Sequence, residues 1–321
     1  TEIRLRLAQG GPATTYPFLP YIALANLGLG TLTVSDVTGS GPGVSAYNYQ
    51  GLGIVTVAPA SLAPGDYDDG FVTFQCNAAN CPKQVPVRFT IVPPAPPVIQ
   101  YRGVVDNASF NPYASVSPGE IVVAKGEQLS LRPPDVAASA PLPTTLGGAT
   151  VSVNGVLAPL YYSSFGQIAF QMPSGTAPGM ALVQIARDGQ PGNIVSVNVS
   201  PRAPHILAVT DTQYNALDPR HPAAPGDTII VWAIGLGPTI PAVPDGTLAA
   251  SPASLATTPT VEFSAPSSSR LVTPIFAGLG GGTVGLYQVN VILPQDTLSG
   301  SIYLSLHFPD AWSEAVSIGV K

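Results

Sequence analysis

The chain has 321 residues, 45% of them hydrophobic and only 9% charged, with a net charge of -6, where a typical soluble domain is about 25% charged. This composition excludes intrinsic disorder, which needs low hydrophobicity and high charge, and nucleic-acid binding, which needs clustered Lys and Arg. With 33 Gly and 36 Pro interrupting almost every window long enough for a helix, the expectation is an all-β chain of short strands and turns.

In chain order, no initiator Met precedes Thr1 and no apolar run reaches the roughly 20 residues that span a bilayer. A mature, secreted chain without membrane insertion is expected. Ile3, Leu5 and Leu7 then alternate with Glu2, Arg4 and Arg6, the period of a half-buried strand. This strand either belongs to its own sheet or is donated to a neighbour's by strand addition. Further runs at 21–25, 31–37, 44–49, 54–58, 71–75 and 85–92 complete the seven strands of a small sandwich over residues 1–94. Tyr47 and Tyr49 share one face of the fourth run; core packing is the expectation for them, and stacking on a glycan is the alternative. Asp66, Asp68 and Asp69 cluster around Tyr67, and several hard oxygens from one loop are what calcium takes. The spacing lacks the Gly and the distal Glu of an EF-hand, so plain solvation is favoured over calcium, and no other metal or cofactor is expected. Cys76 and Cys81 bracket four residues between two strand-like runs. With no His or second Cys pair nearby to complete a zinc site, a disulfide across a hairpin tip is the expectation. It implies an oxidising, extracellular or cell-surface location.

Pro93-Pro94-Ala95-Pro96-Pro97 is an extended spacer, and beyond it the chain repeats itself. Pro97-Val-Ile returns as Pro204-His-Ile, and Ser117-Pro-Gly-Glu-Ile-Val-Val as Ala224-Pro-Gly-Asp-Thr-Ile-Ile, at an offset of 107. Gln167 to Pro173 returns as Gln288 to Pro294 at an offset of 121. Residues 98–203 and 204–321 are thus two copies of one β-unit. The second carries about 14 extra residues, expected in a longer loop within 235–254 or 264–282. Asn154-Gly155 is a type I′ hairpin signal, and Asp188-Gly189 and Pro309-Asp310 mark a later hairpin in each copy. Trp312 lies just past that turn and is a third candidate for glycan stacking, whereas Trp232, inside an apolar run, is expected in the core.

The order and spacing of Val105-Asp-Asn-Ala-Ser-Phe, Leu142-Pro-Thr-Thr-Leu-Gly-Gly, Val153-Asn-Gly, Gln167-Ile-Ala-Phe-Gln-Met-Pro, Pro225-Gly-Asp-Thr-Ile-Ile-Val and Gly285-Leu-Tyr-Gln-Val-Asn-Val resemble a carboxy-terminal module abundant in secreted proteins of acidobacteria. The resemblance covers roughly residues 100–321. It implies tandem Ig-like sandwiches of the IPT/TIG kind and carries no catalytic residue and no assigned activity. Residues 1–94 resemble the Ig-like domains of bacterial surface proteins.

His205, His221 and His307 fall in separate segments, and no nucleophile elbow, metalloprotease, P-loop or dinucleotide motif is present. The reading is therefore three tandem Ig-like β-sandwiches in a rod, non-enzymatic, extracellular, and assembling with copies of itself into a fibre or layer. The motive is a surface too poor in charge to keep monomers apart. An adhesin or carbohydrate-binding module is the alternative.

Overall fold

The computed structural model describes residues 2–14, 20–265 and 268–321. Every regular element among them is a strand, and no helix is long and apolar enough to cross a membrane. The chain forms two compact units, Thr1–Pro96 with Ser130–Asp135, and Pro97–Leu129 with Val136–Lys321.

The first unit contains β1 (Ile3–Ala8), β2 (Tyr21–Ala23), β3 (Val34–Ser40), β4 (Val44–Tyr49), β5 (Leu52–Val57), β6 (Gly65–Cys76) and β7 (Lys83–Val92). They form a four-stranded sheet, β1-β7-β6-β3, and a three-stranded sheet, β2-β5-β4. β1 runs parallel to β7, from Ile3 opposite Val87 to Ala8 opposite Val92, so Ile3, Leu5 and Leu7 pack on the core of their own sandwich. Strand β3 starts three residues later than the run 31–37. The Asn77 side chain accepts from the Thr33 N–H at 2.9 Å and donates to the Thr31 carbonyl at 2.9 Å, taking that backbone out of the ladder. Tyr47 and Tyr49 are 51% and 55% exposed. The expectation of core packing fails because Val44 and Ala46 occupy the inward phase of β4 and the tyrosines the outward one.

Cys76 and Cys81 are bonded, with Cα atoms 5.6 Å apart. A loop this short removes little unfolded-state freedom, so Cys76→Ser with Cys81→Ser is expected to cost about 2 kcal/mol. Calorimetry should show one transition shifted by the substitution; two unshifted transitions would contradict the stapling role.

The second unit holds both repeats. The first copy comprises β8 (Val98–Asp106), β9 (Ile121–Glu127), β10 (Asp135–Val136), β11 (Ala149–Val153), β12 (Val156–Leu157), β13 (Leu160–Ser163), β14 (Gln167–Gln171), β15 (Gly179–Arg187) and β16 (Gln190–Val199). The second comprises β17 (His205–Thr210), β18 (Thr228–Ile234), β19 (Thr239–Ile240), β20 (Ala253–Leu255), β21 (Thr260–Ala265), β22 (Ser268–Val272), β23 (Phe276–Leu279), β24 (Tyr287–Ile292), β25 (Gly300–His307) and β26 (Val316–Val320). Sheets β10-β13-β14-β9-β8 and β12-β11-β15-β16 enclose the first core; β17-β18-β24-β23-β20-β19 and β22-β21-β25-β26 enclose the second.

The repeat holds at the level of single hydrogen bonds. Val116 bridges Val199 in parallel and Ala223 bridges Val320 in parallel, as β1 does β7, so all three sandwiches close an early segment onto the last strand. Gly119 and Gly226, at φ 79° and 91°, turn the chain so that their N–H groups donate to Met172 and Leu293 at 2.8 Å. Positive φ without a Cβ is what this Pro-Gly turn requires. The I′ signal at Asn154-Gly155 is realised, at φ 49° and 84°, and the later hairpin of the first copy turns at Asp188 and Gly189 with φ 48° and 81°. The extra residues of the second copy are split. Val151 faces Ile185 and Val261 faces Leu306, so the offset between copies is 110 on the first of these strands and 121 on the second. Part of the insertion thus precedes β21 and the larger part follows it, along the β21–β22 hairpin, whose Pro266 and Ser267 lie outside the described residues, and the approach to β24.

Those longer segments join the copies. Val105, Val123 and Ala169 form a small apolar cluster on the outer face of the first copy, with Tyr161 and Tyr162 against it. The Tyr161 hydroxyl donates to the Val284 carbonyl at 2.7 Å and accepts from the Val284 N–H at 3.0 Å. The Gly246 N–H donates to Gln171 Oε1 at 2.6 Å, and the Leu142 N–H to the Gly246 carbonyl at 2.8 Å. Trp232 is not in the core as expected. Ile229, Val231 and Ala233 point inward, which leaves Trp232 half-buried on the outer face, donating to Thr210 Oγ1 at 3.1 Å and tilted against Tyr214.

Candidate functional site

The outer faces of β12-β11-β15-β16 and β22-β21-β25-β26 are equivalent by the repeat, and they carry opposite chemistry. On the first copy Thr150, Ser152, Met180, Leu182, Gln184, Ile194, Ser196 and Asn198 point outward, with Leu157 beside Ser152, and none of these groups ionises. Met180 is 65% exposed and Ile194 58%.

On the second copy Ser152 is replaced by Glu262, Leu182 by Tyr303, Gln184 by Ser305 and Ala186 by His307. Glu262 lies opposite Ser305 across the ladder. Its Oε2 is 2.8 Å from His307 Nε2 and its Oε1 accepts from Ser269 Oγ at 2.5 Å. Ser305 Oγ is 2.9 Å from the same His307 nitrogen. A serine-histidine-acid relay needs the acid on one ring nitrogen and the nucleophile on the other. Here both meet Nε2, so the geometry is that of a clamp on the imidazole and not of a relay.

The imidazole supports Trp312. Its ring stacks on the indole with centroids 4.8 Å apart and planes 24° from parallel. The turn is fixed from both sides: the Phe308 N–H donates to Ala311 at 2.8 Å, and the Leu306 N–H to Ser313 Oγ at 2.8 Å. With one face covered, Trp312 is still 71% exposed. It also walls a cleft of about 410 Å³ at the seam of the repeats, lined by Ser115, Ser200, Arg202, His205 and Asp310. Arg202 Nη1 donates to both oxygens of Asp310 at 2.9 and 2.7 Å, Nη2 donates to Thr257 Oγ1 at 2.8 Å, and the guanidinium lies over Phe308. His205 Nε2 is 3.8 Å from the buried Asp106. Asp106 feels burial, which raises its pKa, yet the Ser109 hydroxyl, the Ser109 and Ala108 N–H groups and His205 outweigh it and hold the carboxyl below its ordinary value. His221, outside the cleft, is 2.9 Å from Asp211 Oδ2. Every histidine is therefore beside a carboxylate, and for His205 and His307 that carboxylate is distant in sequence, a pairing no local motif announces.

The other candidates do not converge. Asp66 accepts from Thr90 at 2.6 Å, Asp68 faces Arg88 at 3.9 Å, and a register break between Tyr67 and Gly70 carries Asp68 and Asp69 off the ladder. Among the described residues no three His, Cys, Asp or Glu side chains gather as a metal ion would need. Tyr47 and Tyr49 belong to the first unit and Trp312 to the second. Two exposed groups escaped sequence reasoning. Arg102 lies 5.3 and 4.3 Å from the rings of Tyr101 and Tyr113, lifted out by the register break between Ile99 and Val104. Leu27 and Leu29 stand out from a loop braced by Asn26, beside the disulfide.

No family model matches the chain, and no curated protein matches it. Among solved structures it is similar to the Bacteroides ovatus mixed-linkage glucan utilization protein SGBP-B in complex with a mixed-linkage heptasaccharide (11% identity, TM-score 0.32, covering 100% of this chain and 66% of that one). It is also similar to the Escherichia coli adhesin FdeC (17% identity, TM-score 0.22, covering 91% and 87%) and to the titin I9–I11 tandem (8% identity, TM-score 0.20, covering 100% and 97%). The chain spans 66% of the first of these. Likenesses this distant bear on nothing done by this chain, and its assignment as tandem Ig-like all-β sandwiches rests on its own sheets and their shared parallel closure.

Proposed function

We propose that the chain is a non-enzymatic extracellular structural protein that associates with copies of itself through the outer face of β12-β11-β15-β16. The carrying observation is that Leu157, Met180, Leu182 and Ile194 are all exposed on one sheet face that has no ionisable group. Contiguous exposed apolar surface of this kind marks an interaction site. The occupant is a second copy, because a face without charge meets its own image about a two-fold axis without like-charge repulsion, its Ser, Thr, Asn and Gln groups serving as both donors and acceptors. The Cys76–Cys81 bond supports an oxidising compartment. Exchange of β1 between copies would keep the same register against β7 and offers a second mode of association.

Leu182→Arg places one charge at the centre of this face and, by symmetry, opposite its own copy. Sedimentation velocity should show association at least tenfold weaker, with an unchanged unfolding midpoint. A chain that is monomeric at high concentration before substitution, or an Arg variant that associates as before, would refute the reading.

A further inference from the structure

We propose that the seam between the repeats holds a separate binding site for a neutral polysaccharide, with Trp312 as its stacking platform. The sandwich does not need this tryptophan. Pro191 stands at the equivalent place in the first copy, 121 residues earlier, and Trp312 belongs to neither hydrophobic core. An exposed indole backed by an imidazole and carried on a doubly bonded turn is ordered before any ligand arrives, so little freedom remains to be lost on binding. Its free face offers the flat apolar surface on which the C–H side of a pyranose lies.

The polar groups around it define the class of sugar. Ser115 and Ser200, whose hydroxyls are 2.9 Å apart, with Asp310 and His205, present donors and acceptors along the cleft for vicinal hydroxyls. The basic side chains near the platform already have acids: Arg202 has Asp310, His205 has Asp106 and His307 has Glu262. With the charges offset within the site, no surplus cation remains to draw a uronate, sulfate or phosphate, and an acidic polymer would meet Asp310 and Glu262. The cleft of about 410 Å³ falls in the size range of small-ligand sites. It is open along the seam, which suits an internal stretch of a chain.

The test uses the full chain in a Trp232→Phe background, which leaves Trp312 as the one tryptophan. Cellohexaose, laminarihexaose and mannohexaose are the neutral probes, and polygalacturonate is the anionic one. At least one neutral oligosaccharide should shift the indole emission saturably. Calorimetric titration should find that binding weakened at least tenfold by Trp312→Ala and several-fold by Asp310→Asn, with both variants keeping the unfolding midpoint of the parent. Leu182→Arg should leave it unchanged, which separates this site from the self-association face. Binding of none of the neutral probes, equal binding by Trp312→Ala, or preference for polygalacturonate would each overturn the proposal.

Discussion

Gly235→Val is expected to loosen the joint between the two repeats and lower the unfolding midpoint of the second unit by about 6–12 °C, the shift that roughly 3 kcal/mol produces in a body of about 220 residues. Gly235 follows the last residue of β18 at φ 74°, and its carbonyl accepts from the Ala203 N–H at 2.9 Å. A Cβ there would sit 1.9 Å from the Ala203 carbonyl oxygen and 3.3 Å from Glu120 Oε2. The first neighbour is backbone, so it cannot swing away, and a β-branched residue at positive φ adds strain of its own. Calorimetry with limited proteolysis should show new cleavage near 201–205. An unshifted transition with an intact seam would mean that the copies are not held together here.

Glu120→Gln is expected to raise the midpoint of the same unit by a few degrees at pH 8 and to change it little near pH 4. Burial pushes the Glu120 carboxyl well above its ordinary value of 4.5, the Ser117 N–H and hydroxyl pull it back, and the Asp106 charge pushes it further up. Tyr287 faces it from β24, its hydroxyl donating to the Gly237 carbonyl at 2.6 Å. The Tyr287 hydroxyl is itself raised, by burial and by Glu120. An acid raised in the native state keeps its proton to higher pH than in the unfolded chain. Stability therefore falls as pH climbs from the ordinary carboxylate range through the raised value. Glutamine retains the shape and the acceptor for Ser117 without the ionisation, and should remove that slope. Asp106 acts with the opposite sign: its depressed carboxyl contributes stability above its ordinary 3.8 that is lost as pH falls further. The two effects occupy separate pH windows, and parallel midpoint curves for parent and Glu120→Gln would contradict this account of the joint.

Much of the fold was legible because strand signals are local. Alternation over Ile3–Ala8 and the run Val44–Tyr49 reproduces two strands residue for residue, and Asn154-Gly155 and Asp188-Gly189 adopt the turn that positive φ demands. Local patterns do not say which of two faces points inward when both are apolar. That is why Tyr47, Tyr49 and Trp232 were expected in the core and lie outside it. The exposure of Trp312 is consistent with its place past a turn. Its support by His307, and that of His307 by Glu262, joins strands 45 residues apart.

The sequence by itself determined the all-β class, the spacer, the doubling of one unit and the scarcity of charge, since each follows from composition, period or offset along the chain. Only the tertiary structure decided what the two copies do with the same wiring. Glu120 and Asp227 occupy one repeat position and accept the same backbone bond, from Ser117 at 2.6 Å and from Ala224 at 2.7 Å. Glu120 is sealed against the neighbouring repeat while Asp227 stays in water. Burial, and with it the charge state of a carboxyl, depends on which surfaces meet across the seam, and that is a property of the packed body instead of any stretch of chain.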